Sequence, residues 1–280
     1  VRESGSGGIP VAECAVWRRV AGVGAEPLDL FDARFKRGHF TMHSHDEYSI
    51  GVCLDGVELI RHRGQLHRLG PGTVVVIEPG EPHTGGPADA AGFAYRVMYP
   101  AIGMFANETP HFADLIQYDP QLAEQFRVAH ESLSRGDDRI EAESRLTAAL
   151  AELVARHAKT APPAQPRIGG RTARLVMARL EDQIVAPPTL TDIADDLGLS
   201  RFQVVRGFRD TVGMPPYAWL AQRRVAKARV LLAGGARPSE AAARVGFADQ
   251  AHMTRWFRRV IGVTPGTYRN SVQDSHGSRC

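Results

Sequence analysis

The sequence predicts an α+β chain of two domains. An antiparallel β-barrel followed by helices comes first. An all-α domain with two helix-turn-helix units joined by a long helix comes second. Three observations predict this. From Val11 to about Tyr99, short strand-like runs are separated by glycine turns. From Pro110 to about Lys159, the apolar period becomes helical. From Thr189 to Arg269, one helix-turn-helix pattern is written twice.

Taken in order, residues 1–10 are Gly/Ser-rich at their start and are expected to be disordered. Residues 11–109 are assigned to the barrel, with strands in AEPLDLFDARF, SIGVCLDG, VELIRHRGQLHRL, GTVVVIEPG and GFAYRVMYP. Leu54-Asp55-Gly56-Val57 reads as one hairpin turn and Gly70-Pro71-Gly72 as another. Residues two apart on a strand share a face, so His43, His45 and Glu47 are placed to point inward together. Tyr48, Tyr95, Arg96 and Tyr99 are further candidates for the barrel pocket, and Arg96 would suit a carboxylate or phosphate effector. Strand alternation, however, separates Arg96 from Tyr95 and Tyr99.

Residues 110–159 carry two amphipathic stripes: Leu122, Phe126, Ala129 and Leu133, then Ile140, Leu146, Leu150, Leu153 and Val154. Such stripes serve either packing on the barrel or dimerisation. Residues 160–170 (TAPPAQPRIGG) read as a Pro/Gly-rich linker.

Residues 171–270 form the all-α domain. A helix from Thr172 to Val185 opens it. Thr189 with Asp192, and Ser200 with Gln203, have the spacing of capping boxes. Gly198 ends the helix between them, because glycine takes a left-handed conformation without penalty. Val204 and Phe208 are the buried stripe of the next helix. Arg201, Phe202, Gln203, Val205, Arg206 and Arg209 are left outside it. Arginine grips guanine edges, glutamine adenine edges, and apolar groups the thymine methyl, so this surface suits a major groove. A helix from about Tyr217 to Ala233 joins the first unit to the second. There Ser239 and Asp249 are read as caps, Met253 and Phe257 face inward, and Gln250, His252, Thr254, Arg255 and Arg258 face outward. Residues 271–280 are left as a tail.

Residues 189–269 resemble the DNA-binding domain of the AraC/XylS family of bacterial transcription regulators. The resemblance is carried by Ala194, Gly198, Ser200, Phe208, Gly213, Arg229, Leu232, Gly246-Phe247, Phe257, Gly262-Val263-Thr264-Pro265 and Tyr268-Arg269. Pro238 and Ala241 stand where the family usually has larger aliphatics. The resemblance implies a dimeric regulator that binds double-stranded promoter DNA and contacts RNA polymerase. It places Arg206 and Arg255 at base edges, while Arg209 and Arg258, one turn on, are read as phosphate contacts. It also implies that the helical segment 110–159 forms the dimer interface.

The motifs His43-Ser44-His45-Asp46-Glu47 and Gly72-Thr73 to Glu78-Pro79-Gly80-Glu81-Pro82-His83 resemble those of the cupin barrel. There, paired histidines, a glutamate and a later histidine hold a divalent metal. Glu47 follows His45 too soon for the usual spacing, Pro79 sits one place late, and Pro87 replaces a common asparagine. The region also resembles the effector-binding barrel fused to AraC-type domains. Three readings of His43, His45 and His83 therefore stand side by side: a divalent metal site, contact with an unknown small-molecule effector, or ordinary hydrogen bonds at the barrel mouth. Of these, effector contact is the expectation, with no resident cofactor.

Charge divides the same way. Residues 1–166 hold 16 Lys and Arg against 22 Asp and Glu, a net −6. Residues 167–280 hold 18 against 9, a net +9, and the two return the chain's +3. A basic C-terminal half fits DNA. Cys14, Cys53 and Cys280 have no paired spacing, which fits incidental thiols in a reducing cytoplasm. No apolar run reaches membrane-span length, and the start lacks a signal-peptide core. The expectation is a cytoplasmic, effector-responsive regulator rather than an enzyme. The rivals are a metal-dependent cupin enzyme fused to a DNA-binding domain, and a constitutive regulator whose barrel only dimerises.

Overall fold

The computed structural model describes residues 13–21, 27–105, 109–136, 139–159 and 168–273. The expected disordered start (1–10), most of the linker (160–167) and the tail from 274 on lie outside the described residues.

The N-terminal domain contains two antiparallel sheets. One has the order β1 (Cys14–Val20), β2 (Leu28–Phe35), β9 (Phe93–Tyr99), β4 (Ser49–Gly56), β7 (Thr73–Ile77), β10 (Ile116–Tyr118). The other has the order β3 (Phe40–His43), β8 (His83–Pro87), β5 (Glu58–His62), β6 (Gln65–Leu69). Neither expected hairpin turn forms a hairpin. β4 pairs with β7 and β9, and β5 with β6 and β8, so the turn at Gly56 carries the chain from one sheet to the other. The turn at Gly70–Gly72 likewise crosses from β6 to β7. The tight hairpin lies at Arg63-Gly64, where His62 faces Gln65 and both turn residues have positive φ (48° and 79°). That is the mirror-image turn that matches strand twist. β10 falls inside the segment expected to be helical and extends the six-stranded sheet at its β7 edge.

One face of that sheet is covered by α1 (Pro120–Arg135) and α2 (Arg139–His157). Leu122, Phe126, Ala129 and Leu133 join Leu146, Leu150 and Leu153 in a core with Leu28, Leu30, Tyr48, Ile50 and Val76. The apolar stripe is thus consumed within the chain. Only Ile140, 78% exposed, stands apart from it. The stripe therefore gives no support to a dimer interface, and any such interface must use other residues.

The C-terminal domain opens with α3 (Ile168–Asp182). The first unit is α4 (Leu190–Leu197) and α5 (Arg201–Val212). Both expected capping boxes are formed, Thr189 with Asp192 and Ser200 with Gln203. The connecting helix α6 (Pro216–Ala233) leads to α7 (Pro238–Arg244), α8 (Gln250–Ile261) and α9 (Pro265–Gln273). Asp249 caps α8 as expected, accepting from the His252 amide at 2.6 Å. Ser239 does not cap α7. Arg237 occupies the cap and Pro238 the first turn, where its missing N–H costs nothing. Cys53 is buried and free, whereas Cys14 is disulfide-bonded, so the expectation of incidental thiols fails at Cys14.

The two domains share a core. Trp17, Phe31, Phe35, Phe93, Tyr95 and Tyr99 of the barrel pack in one buried cluster with Val225 and Leu232 of α6, Met253, Phe257 and Val260 of α8, and Tyr268 of α9. Trp17 Nε1 donates to the Ile261 carbonyl at 3.1 Å. Gly262, which ends α8 at φ 82°, leaves no room for a side chain: a Cβ there would lie 2.9 Å from the Phe40 ring.

Candidate functional site: a histidine cluster beneath the interdomain seam

Between the two sheets lies a cavity of about 40 Å³. His43 at the end of β3, His45 just beyond it and His83 at the start of β8 meet there, supported by the facing of His43 and His83 in the β3–β8 ladder. One ring nitrogen from each lies within 4.8 Å of the others. The ring centroids are 4.3 Å apart for His43 and His83, 4.9 Å for His43 and His45, and 5.3 Å for His45 and His83.

The local backbone fixes how two of these rings stand. His43 Nδ1 is 2.7 Å from the Thr41 carbonyl, and His83 Nδ1 is 3.0 Å from the Glu81 carbonyl. A carbonyl only accepts, so each Nδ1 carries the proton and each Nε2 presents a lone pair. Burial holds all three rings in the neutral form. It pulls His43 down to about 4, and pulls His45 and His83 well below their ordinary range, with mutual repulsion adding to both.

The other cavity walls come from Trp17, Phe40, Ser49, Glu58, Tyr95 and Tyr99, with Val260 entering from α8. The His45 and Tyr99 rings lie edge to face at 4.9 Å. Glu58 is only 5% exposed, and burial pushes its carboxyl up to about 8. It was not expected from the sequence, because no motif marks it. Only its even-numbered offset from Ile60 on an inward-facing strand could have found it.

Three expected pocket residues lie elsewhere. Tyr48 sits on the opposite face of the sheet, with its hydroxyl on the Pro110 carbonyl at 2.7 Å and its ring against Phe105. Its even position, three residues from His45, puts it on the face opposite the histidines, while Ser49 turns to the cavity. Arg96 points away from the cavity toward α1, near Asp32 (3.4 Å) and Glu131 (3.6 Å), as its parity with Tyr95 requires. Glu47 lines a separate cleft of about 1560 Å³ between the domains. His45 borders both that cleft and the cavity.

The DNA-binding domain grips the segment carrying these histidines. The Gln222 amide on α6 donates to the Met42 carbonyl at 2.9 Å and accepts from the Ser44 N–H at 3.1 Å, holding the backbone on both sides of His43. Arg223, next on the helix, reaches both carboxylate oxygens of Asp46, at 2.5 and 2.6 Å.

On α5, Arg201, Phe202, Gln203, Arg206 and Arg209 are exposed, Phe202 at 71%, and Val205 is half-buried. The Gln203 carbonyl oxygen is engaged by the Ser200 N–H and hydroxyl, both at 2.9 Å, leaving its NH2 outward. On α8, Gln250, Arg255 and Arg258 are exposed. Thr254 donates back to the Gln250 carbonyl at 2.8 Å. His252 is held between Tyr217, whose hydroxyl is 3.1 Å from its Nε2, and the Phe247 ring. It is half-buried at the surface, beside Tyr217 of α6.

Comparison with known proteins matches these two halves in order. An AraC-like ligand-binding domain matches residues 27–150, and a helix-turn-helix domain matches residues 193–271. The chain belongs to the AraC family of transcription regulators. It is 26% identical over 223 residues to the HTH-type transcriptional regulator YbfI of Bacillus subtilis, covering 76% of this chain and 81% of YbfI. It is 25% identical over 253 residues to the transcriptional activator RhaS of Escherichia fergusonii, covering 85% of this chain and 90% of RhaS. The fold is similar to that of ToxT from Vibrio cholerae, with a TM-score of 0.56 at 12% identity, covering 88% of this chain and 97% of ToxT. As an AraC-family regulator, the chain joins a ligand-binding domain to a DNA-binding one. Among the described residues, no helix is long and apolar enough to cross a membrane.

Proposed function

We propose that this regulator reads two adjacent major-groove segments through α5 and α8, and that an effector seated at the barrel seam sets how firmly its two domains are held together. The observation that carries this is the grip of Gln222 on both sides of His43. A ligand touching the histidines acts on the same backbone that the DNA-binding domain holds. Effector binding then biases one domain arrangement over another, provided its affinity differs between them.

Arg206 and Arg255 read base edges in this proposal, supported by Arg201, Phe202, Gln203, Val205, Gln250 and Thr254. Arg209 and Arg258 hold phosphates. The regulator works in the cytoplasm, as a homodimer that activates transcription beside RNA polymerase. Its relatives YbfI and RhaS are transcription regulators, which favours regulation over catalysis. Selection of bound sequences from a random DNA pool tests the reading. The full chain should enrich a motif with two parts about one helical turn, ~10 bp, apart. Arg206→Ala and Arg255→Ala should each blur one part. Enrichment of no motif, or of one unchanged by either substitution, overturns the assignment.

A further inference from the structure

We propose that His43, His45 and His83 form a binding site for a divalent transition metal of the zinc or nickel class, and that its occupancy tightens the seam between barrel and DNA-binding domain. This deepens the effector reading above by naming the chemical class of the ligand.

The donor set fits such an ion. Three imidazoles converge, and two have their outer nitrogens fixed on backbone carbonyls, the arrangement that orients metal-binding histidines in general. Neutral imidazole suits zinc, nickel, copper and iron rather than magnesium or calcium. Among the described residues, no side chain donates a hydrogen bond to the cluster. Lone pairs facing one another in a buried space are costly unless something positive stands between them. The Glu58 carboxyl lies in the same cavity, with no described cation paired to it. Glu47, the expected carboxylate, lies in the cleft, and Glu58 of β5 lines the cavity instead.

The location gives the site its consequence. An ion drawing the three rings together stiffens the Met42–Asp46 segment. Gln222 and Arg223 hold that segment from α6, and Val260 of α8 closes the cavity wall. Metal binding and domain docking are then reciprocal, each strengthening the other.

The test uses the full-length chain, stripped with a chelator and titrated with zinc and, separately, with cobalt(II), whose visible spectrum reports its ligands. One ion per chain is expected, lost in His83→Ala and in His45→Asn and kept in the control His67→Ala. Circular dichroism melts show whether each variant folds. His45→Asn guards against collapse, because His45 makes no hydrogen bond to a described side chain. Zinc should also slow hydrogen exchange across α6 and change affinity for a selected DNA site by about fivefold or more. Gln222→Ala should bind the ion but lose most of that change. Absence of stoichiometric metal, or retention of it in both histidine variants, overturns the site. Metal bound at the triad with unchanged exchange and DNA affinity overturns the coupling. Selection of a two-part DNA motif by a chain that binds no metal rejects this inference and leaves the regulator reading standing.

Discussion

Arg229 of the connecting helix donates to the carboxylate of Asp29 in the barrel's second strand, and both side chains are buried. Arg19 shares the same carboxylate from the other side, its Nε 2.8 Å from Oδ1. The Arg229 guanidinium also sits 5.2 Å from the Trp17 ring centre. One carboxylate therefore bridges two arginines at the seam, one from each domain.

Removing that acid should be worse than removing either base. Asp29→Ala leaves two cations facing each other in a buried place, at an expected cost of about 3–5 kcal/mol. Arg229→Met removes one cation and leaves the Arg19–Asp29 pair intact, so it should cost less. Urea unfolding of the full-length variants measures both. Equal losses would mean that Asp29 acts through Arg229 alone.

Exposed arginines on the first recognition helix should separate by role. Arg206→Ala is expected to cost about 1–3 kcal/mol on the preferred sequence and little on random DNA. Arg209→Ala should weaken both alike and lower the salt slope by about one. Binding isotherms at several salt concentrations, on specific and random duplexes, distinguish the two.

Leu146 is buried between α2 and the sheet-packed α1. Leu146→Ala should destabilise the chain by about 2–5 kcal/mol. The oligomeric state of the folded variant should stay as in the parent, because this stripe is spent within the chain. Sedimentation below the unfolding transition provides the check.

His130 lies under the sheet with Nε2 3.1 Å from the Phe31 carbonyl, facing the charges of Arg96 and Arg18. Burial, with the two arginines acting in the same direction, lowers its pKa from 6.5 to about 3. The unfolded chain takes up this proton near pH 6.5 while the folded chain resists until about 3. Stability is therefore unaffected by this group above pH 6.5 and falls as pH drops through that window. His130→Gln should flatten part of the decline, seen as a smaller drop in melting temperature between pH 7 and 4.5 than in the parent.

What the sequence made legible was local. The Ser200–Gln203 and Thr189–Asp192 caps close over three residues, so spacing alone specifies them. The meeting of His43 with His83 is a long-range pairing of β3 with β8, and only the resemblance to the cupin motifs pointed to it. Misplacement arose where distant pairing decides the outcome. Gly56 looks like a hairpin turn, yet the partners of its strands are β9 and β8 rather than each other. Tyr48 follows His45 closely, but strand parity puts it on the other face, with Ser49 turned to the cavity instead. The seam itself was invisible, because Trp17 and Ile261 are 244 positions apart and no periodic pattern links them.

The apolar cluster joining Trp17 and Tyr99 to Phe257 and Tyr268 bears on how such a chain is inherited. A sensor half and a reader half with a shared interior are not interchangeable cassettes. A hybrid that borrows its barrel from one relative and its DNA-binding half from another must also borrow the surfaces that meet, from Asp29 and Phe40 on one side to Arg229 and Gly262 on the other. Recombination at the linker alone would deliver two well-formed halves that do not recognise each other, and new specificities in this lineage should arise more readily by substitution within each half than by exchange of whole halves.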